Sequence, residues 1–209
     1  MWYLKASGFK VVPLHEIISF MKGNISGKKL VAITFDDGYQ DFYENAYPVL
    51  KMFGYPSTVF LVTDLIGKEN LWDYRELNIR KRLLDWDKIV ELRDHRVVFG
   101  SHTKTHPFLS KLSTSEIEDE LFGSKTALEK KLGFPAELFC YPYGDYDDRV
   151  VTTVKKAGYL GAVTMNRGFI RIGDDPFEIM RLFVRLNTHP LLFMIKLHST
   201  YEDRKGLRI

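Results

Sequence analysis

Short apolar runs rich in β-branched residues recur along the chain, and between them lie stretches whose apolar positions fall three and four residues apart. The runs are Val31 to Phe35, Thr58 to Val62, Val97 to Gly100, Leu138 to Tyr141, Gly161 to Thr164 and Arg181 to Leu186. Their lengths suit strands, and the intervening helical spacing predicts parallel strands joined by crossover helices, an α/β fold. Gln40 to Phe53 reads as a helix stopped by Gly54, with Pro48 marking a kink or a start. A second helix is predicted over Asp85 to Arg93. In a third, Ser113 and Glu116 form a capping box, Ile117, Leu121, Leu128 and Leu132 line one face, and Gly133 ends it. Asp147 to Ala157 turns Val150, Val151 and Val154 inward before Gly158. Such βα units without an internal repeat fit two architectures, an open doubly wound sheet or a closed or partly closed barrel. In both, ligands meet the carboxyl ends of the strands.

Composition narrows the class. At 209 residues, 45% hydrophobic and 27% charged, the chain can bury one substantial core, which predicts a single domain over residues 1–209. The net charge of +3 comes from 30 basic and 27 acidic residues dispersed along the sequence, a solvated surface rather than a nucleic-acid footprint. Cys140 is the single cysteine, so no intramolecular disulfide can form. The longest apolar runs fall far short of the roughly twenty residues that span a bilayer, and no transmembrane segment is predicted. Met1 to Lys5 lacks the features of a secretory signal, so the expectation is a cytoplasmic protein or an exported one without its leader. No GxGxxG or GxxxxGK[ST] motif supports a dinucleotide or P-loop reading.

Candidate chemistry sits at the strand ends. Val31-Ala32-Ile33-Thr34-Phe35-Asp36-Asp37-Gly38 delivers two adjacent carboxylates to a glycine turn. Adjacent carboxylates repel, and a cation or a proton compensates them. Side chains alternate along an extended strand, so Asp36 and Asp37 point apart and take different roles, one for a metal and one for a proton. Asp-Asp-Gly is also a common turn for backbone reasons alone. Ser101-His102-Thr103-Lys104-Thr105-His106-Pro107 adds two imidazoles which, on a helix, would lie one turn apart and bind one divalent ion. Surface histidine pairs arise by chance. Joined to a carboxylate from another strand end, this pair makes a two-histidine, one-aspartate set with positions left for water and substrate. In Phe139-Cys140-Tyr141-Pro142-Tyr143-Gly144, a Tyr143 N–H could face an oxyanion while its ring lines a sugar-sized groove. The segment from Gly67 to Leu84, carrying Trp72 and Tyr74, is long enough to be a functional loop.

In this order, Thr34-Phe35-Asp36-Asp37-Gly38, Ser101 to Pro107 and Tyr141-Pro142-Tyr143-Gly144 resemble the motifs of polysaccharide deacetylases of the NodB homology type, the carbohydrate esterases of family 4. The likeness runs from about Gly8 to Arg185 and is nearest the exopolysaccharide deacetylase branch. It implies a distorted, incomplete (β/α) barrel. It also implies that Asp37, His102 and His106 ligate a divalent metal ion, zinc being expected, with Asp36 as general base and Tyr143 donating its backbone N–H. The implied reaction removes N-acetyl groups from amino sugars of a poly- or oligosaccharide, an N-acetylated glycan.

The chain also departs from the family pattern. Many members carry an arginine at the position of Cys140 to orient the base. Here Arg181 is the candidate for that role and Arg185 the alternative. Leu197-His198 is similar to the late Leu-His element that supplies a general acid elsewhere, with His189 a weaker candidate, and both are also ordinary surface residues. Cys140 reads as a small buried hydrophobe rather than a nucleophile. His15 and His95 lie in segments without other chemical signals. The family's first strand has no evident counterpart before Gly8, which predicts an exposed sheet edge that a homo-oligomer could cover. Two rival readings follow: a C–N hydrolase of a small amide or cyclic imide, and an inactive glycan-binding module. Trp72, Tyr141 and Tyr143 favour sugar stacking over the small substrate.

Overall fold

The computed structural model describes residues 1–72 and 79–206, the last three by backbone alone. Tyr74 lies outside the described residues. Strands β1 (Lys10–Val11) and β2 (Leu30–Val31) form a two-stranded parallel sheet. A six-stranded parallel sheet runs in the order β3 (Thr34–Phe35), β4 (Ser57–Leu61), β5 (Val97–Ser101), β6 (Leu138–Cys140), β7 (Gly161–Arg167) and β8 (Ile179–Arg181). The main helices are α1 (Trp2–Ala6), α2 (Leu14–Met21), α3 (Tyr47–Phe53), α4 (Trp86–Arg93), α5 (Thr114–Leu132), α6 (Asp148–Lys156), α7 (Pro190–His198) and α8 (Tyr201–Gly206). None of the described helices is long and apolar enough to cross a membrane.

Strand order decides between the two architectures. A doubly wound sheet reverses its order at a switch point. No reversal occurs here, so right-handed crossovers place their helices on one face. A flat sheet of this size would hold its edge strands about 24 Å apart, at about 4.8 Å per step. Instead, Arg181 of β8 donates to Thr34 Oγ1 of β3 at 3.3 Å. The sheet therefore curls until its edges face each other, giving a distorted, incomplete (β/α) barrel.

Alternation along the strands explains how the curl is filled. Val59, Leu61, Val97 and Phe99 point outward to a core that includes Leu50 of α3, Ile89 and Leu92 of α4, and Leu128 of α5. Phe139 and Ala162 point outward to Ile117 and Leu121 of α5 and Val150 and Val154 of α6. Their neighbours Phe60, Leu138, Cys140, Val163 and Ile179 point inward and pack on Leu14, Ile17, Ile18 and Met21 of α2, which plugs the inside. α5 carries the predicted capping box and ends at Gly133 with φ 78°.

Three local expectations change. Val31 to Phe35 is not one strand: Val31 pairs with Val11, whereas Thr34 pairs with Thr58, so the run is shared between two sheets. Arg181 to Leu186 is not a strand either. β8 ends at Arg181, because beyond it Val184 and Leu186 are exposed with no sheet partner. The helix over residues 40–53 is interrupted by a π turn at Phe42–Ala46. Pro48 lacks an N–H and its ring crowds the carbonyl four residues earlier, so the helix widens upstream of it.

Candidate active site

All the predicted site residues but His198, His189 and Arg185 fall near the carboxyl ends of β3, β5, β6 and β8. Asp36 and Asp37 follow β3 directly and take different partners, parted by a turn rather than by strand alternation. The Asp37 N–H and side chain turn one way because Gly38 N–H donates to Asp36 O at 2.9 Å, closing a three-residue turn with Asp37 at φ 71°. Gly38 has φ 72°, which a side chain disfavours, and a Cβ on it would lie 2.6 Å from Leu61 Cδ2.

Asp37 Oδ1 lies 3.3 Å from Nε2 of His102 and 3.3 Å from Nε2 of His106. Both imidazoles are buried. One donor atom from each of the three residues falls within 4.8 Å of the others. Ligands about 2.1 Å from a tetrahedral zinc ion lie about 3.4 Å apart, so these separations suit one divalent cation. The second nitrogen of His102 supports that fit: Nδ1 is 2.7 Å from Cys140 O. As the donor to that carbonyl, it leaves Nε2 facing Asp37, and this contact fixes the ring orientation that a ligating histidine needs. Burial raises the Asp37 carboxyl, but when His102 and His106 are protonated their hydrogen bonds and charge outweigh it and hold the group far below the ordinary carboxylate range.

The two histidines do not share a helix, so the spacing that a helix would give them does not apply. Residues 102–106 form an irregular loop in which Thr103 and His106 have φ of 69° and 65°. Six described non-glycine residues have positive φ, and Asp37, Thr103, His106 and Tyr143 are four of them. For a β-branched residue such as Thr103 this is an outlier, and such residues concentrate where a site needs a particular side-chain direction. His106 N–H donates to Thr103 Oγ1 at 3.0 Å, and the carboxylate of Glu120 on α5 accepts from Lys104 N–H and Thr105 N–H at 2.7 and 3.0 Å.

Asp36 takes a different partner, Arg181 of β8. Nη1 of Arg181 donates to its Oδ1 at 2.7 Å and Nη2 to its Oδ2 at 2.8 Å. Burial raises the Asp36 carboxyl, while the Arg181 charge and hydrogen bonds more than offset it and hold the group below its ordinary value. Arg181 also reaches Cys140 Sγ at 3.7 Å, so the guanidinium occupies the region beside Cys140 although it comes from another strand. Cys140 is fully buried, and burial pushes its thiol up, which suits a packing role. Arg185 is exposed, its backbone N–H donating to Thr188 Oγ1.

Aromatic rings line the mouth. Trp72 stacks on His106 with centroids 4.3 Å apart, the Tyr143 ring meets the His106 edge at 4.5 Å, and Phe108 stacks on Tyr143 at 4.0 Å. Tyr143 adopts φ 57°, followed by Gly144, on which a Cβ would strike Met165 Cβ at 2.4 Å. Tyr141 does not line the groove as expected. It is 1% exposed, and its hydroxyl donates to Phe177 O. His198 is held by Tyr3, whose hydroxyl lies 2.9 Å from Nε2, and by the Phe9 ring, so the structure does not bring it to the Asp36 group. His189 caps α7 through Leu191 N–H.

Sequence reasoning passed over Phe108 and Glu120. The signal for Glu120 is legible in hindsight: it stands three residues after Ile117 and one before Leu121, a charge set into the apolar face of α5.

Fold and site together define a curled (β/α) half-barrel with a cation-ready centre at the carboxyl ends of its strands. A model of the polysaccharide deacetylase family matches residues 23–162, about two thirds of the chain, and the chain belongs to that family. The protein YxkH of Bacillus subtilis strain 168, named as a polysaccharide deacetylase, is 29% identical over 185 residues, covering 88% of this chain and 62% of its own. The poly-β-1,6-N-acetyl-D-glucosamine N-deacetylase of Staphylococcus aureus strain MSSA476 is 28% identical, covering 87% of this chain and 63% of its own. The chain thus spans less than two thirds of the length of these relatives. Among solved structures, IcaB of Ammonifex degensii superposes with a TM-score of 0.83 at 24% identity, covering 94% of this chain and 85% of that one. That likeness extends to the fold.

Proposed function

We propose that the protein is a metal-dependent hydrolase removing N-acetyl groups from amino sugars in a polysaccharide. The observation that carries this reading is the division of labour at β3: Asp37 meets His102 and His106, while Asp36 is held apart by Arg181. Asp37, His102 and His106 would hold a divalent cation, with zinc expected from the nitrogen-rich donor set. Bound there, the ion supplies Lewis-acid polarisation of the acetamide carbonyl and lowers the pKa of water.

The chain's own groups perform the proton work. Asp36, kept ionised by Arg181, accepts a proton from the attacking water. Each of its oxygens keeps a lone pair beyond the one engaged by the guanidinium. The water oxygen bonds to the carbonyl carbon, and charge develops on the carbonyl oxygen, to which the Tyr143 N–H donates. The C–N bond then breaks. With His198 engaged by Tyr3 and Phe9, Asp36 is the group at hand to return the proton to the departing nitrogen, leaving a free amine and acetate. Trp72 and Tyr143 offer apolar faces for a sugar ring, which favours a glycan over a small amide.

The test is acetate release from poly-N-acetylglucosamine, acetylated chitooligosaccharides and small cyclic ureides, with and without chelator. Release from a glycan that chelation abolishes and zinc restores supports the reading. Turnover of the ureides alone would replace it with the small-amide hydrolase, and metal uptake without turnover of any substrate with a binding module.

A further inference from the structure

We propose that Glu120 is a positioning residue for the cation centre, its carboxylate fixing the loop that presents His106. The inference rests on the metal reading above and adds a residue that touches neither cation nor substrate. Glu120 sits on α5, 8% exposed. Its Oε2 accepts from Lys104 N–H at 2.7 Å and Thr105 N–H at 3.0 Å, and its Oε1 accepts from the Thr105 hydroxyl at 2.6 Å. These two N–H groups belong to the residues between the left-handed Thr103 and the left-handed His106. Without that carboxylate, two backbone donors would lose their protein acceptor, and relaxation of the loop's φ angles would swing His106.

The rest of α5 makes a seat for the same loop. Ser124 Oγ lies 2.7 Å from Ser101 Oγ at the end of β5, and Lys104 Nζ donates to Asp119 at 2.8 Å. The Lys104 stem crosses Gly123, where a Cβ would fall 2.6 Å from Lys104 Cδ. On the far side, Thr63 N–H and Asp64 N–H donate to the carbonyls of Thr103 and Lys104 at 3.1 and 3.0 Å. The loop is thus clamped from both sides, and on the α5 side its two backbone N–H groups are met by one carboxylate. Because the contacts are hydrogen bonds to two N–H groups, acceptor geometry rather than charge is what the loop requires. A glutamine can supply one oxygen to both donors and let the Thr105 hydroxyl accept from its amide. An aspartate is one methylene too short.

The experiment measures Co²⁺ binding to the full chain by competition and by the visible spectrum of the cobalt form, with the melting temperature of the metal-free protein alongside. Glu120→Ala and Glu120→Asp are expected to weaken Co²⁺ affinity about 10- to 100-fold, the usual range for outer-shell partners, and to change the band shape. Glu120→Gln is expected within about threefold of wild type, since it keeps the acceptor. Wild-type affinity and spectrum in Glu120→Asp overturn the proposal even if the melting temperature falls, because that is a purely structural role. A Glu120→Gln variant as weak as Glu120→Ala overturns it as well. Should Glu120→Ala not fold, Thr105→Val, which removes only the hydroxyl contact, decides: a loss of about 3- to 10-fold supports the proposal and unchanged affinity overturns it. Wild-type protein that takes up no Co²⁺ refutes the metal reading and this inference together. Normal wild-type binding with unaffected variants refutes the inference alone.

Discussion

Replacing Arg181 with methionine tests the link between the two edges of the barrel. The substitution keeps the length and apolar stem but deletes both hydrogen bonds to Asp36, at 2.7 and 2.8 Å. The side chains of Arg181 and Asp36 are 13% and 28% exposed, so solvent screens the pair weakly. Removing one partner of such a buried pair costs about 3–5 kcal/mol, because the other charge is left uncompensated. Part of that cost falls on stability, so it is a ceiling for the activation barrier. At about 1.4 kcal/mol per factor of ten, kcat/KM is expected to fall about 100- to 1000-fold. Burial then acts on Asp36 without the Arg181 charge and hydrogen bonds to offset it and raises its carboxyl, so the acid limb of kcat/KM moves to higher pH. Arg181→Lys should fall between, since an ammonium cannot engage both oxygens in a fork. The assay is acetate release across pH, with zinc content measured on the same samples. Arg181→Met within about fivefold of wild type at equal zinc content would refute the reasoning, as would an equal loss in the exposed control Arg185→Met.

Other consequences are equally open to measurement. Asp36→Asn should retain the cation and lose turnover, whereas His102→Ala should lose both; equal metal loss in the two variants, measured by elemental analysis, would contradict the division of roles. Gly38→Ala forces a Cβ to 2.6 Å from Leu61 Cδ2 at φ 72°, and a stability loss of about 1–3 kcal/mol in urea unfolding is expected, with weakened metal binding because Asp37 precedes it. Tyr159 is buried with its hydroxyl donating to Leu121 O, and burial pushes its pKa up to about 12. Its contribution is therefore complete below pH about 10, where the unfolded tyrosine begins to ionise, and is lost as pH rises toward 12. Stability should fall by up to about 1.4 kcal/mol per pH unit in that window from this group. Tyr159→Phe should remove about one proton from the slope, and an unchanged slope in urea titrations at pH 9 to 11 would count against it.

The motifs were legible because their information is local. Asp36 and Asp37 take different partners as expected, although a left-handed turn at Asp37 rather than strand alternation parts them, and the capping box at Ser113 forms because its two partners are three residues apart. Strand positions were recovered to within a few residues wherever a run belonged to a single sheet. They were missed at Val31 to Phe35, which serves two sheets, and past Arg181, where apolar residues have no partner at all. The His102 and His106 pairing was anticipated, but not the local structure that makes it. A helix would bring them together by spacing, whereas the loop does it with two left-handed residues held by Glu120, a residue that lies 14 positions after His106. Tyr141 looked like a groove residue because sequence cannot tell which side of β6 continues into the core.

By itself, the sequence determined the element types, the order of the three motifs and the chemistry they could support, since these depend on residue identity and on spacings of a few positions. Tertiary structure alone decided that the sheet curls, that Arg181 rather than Arg185 meets Asp36 across 145 residues, and that His198 is engaged elsewhere. Those outcomes depend on the accumulated turn of six strands and on what covers each face, quantities that no short stretch of chain contains.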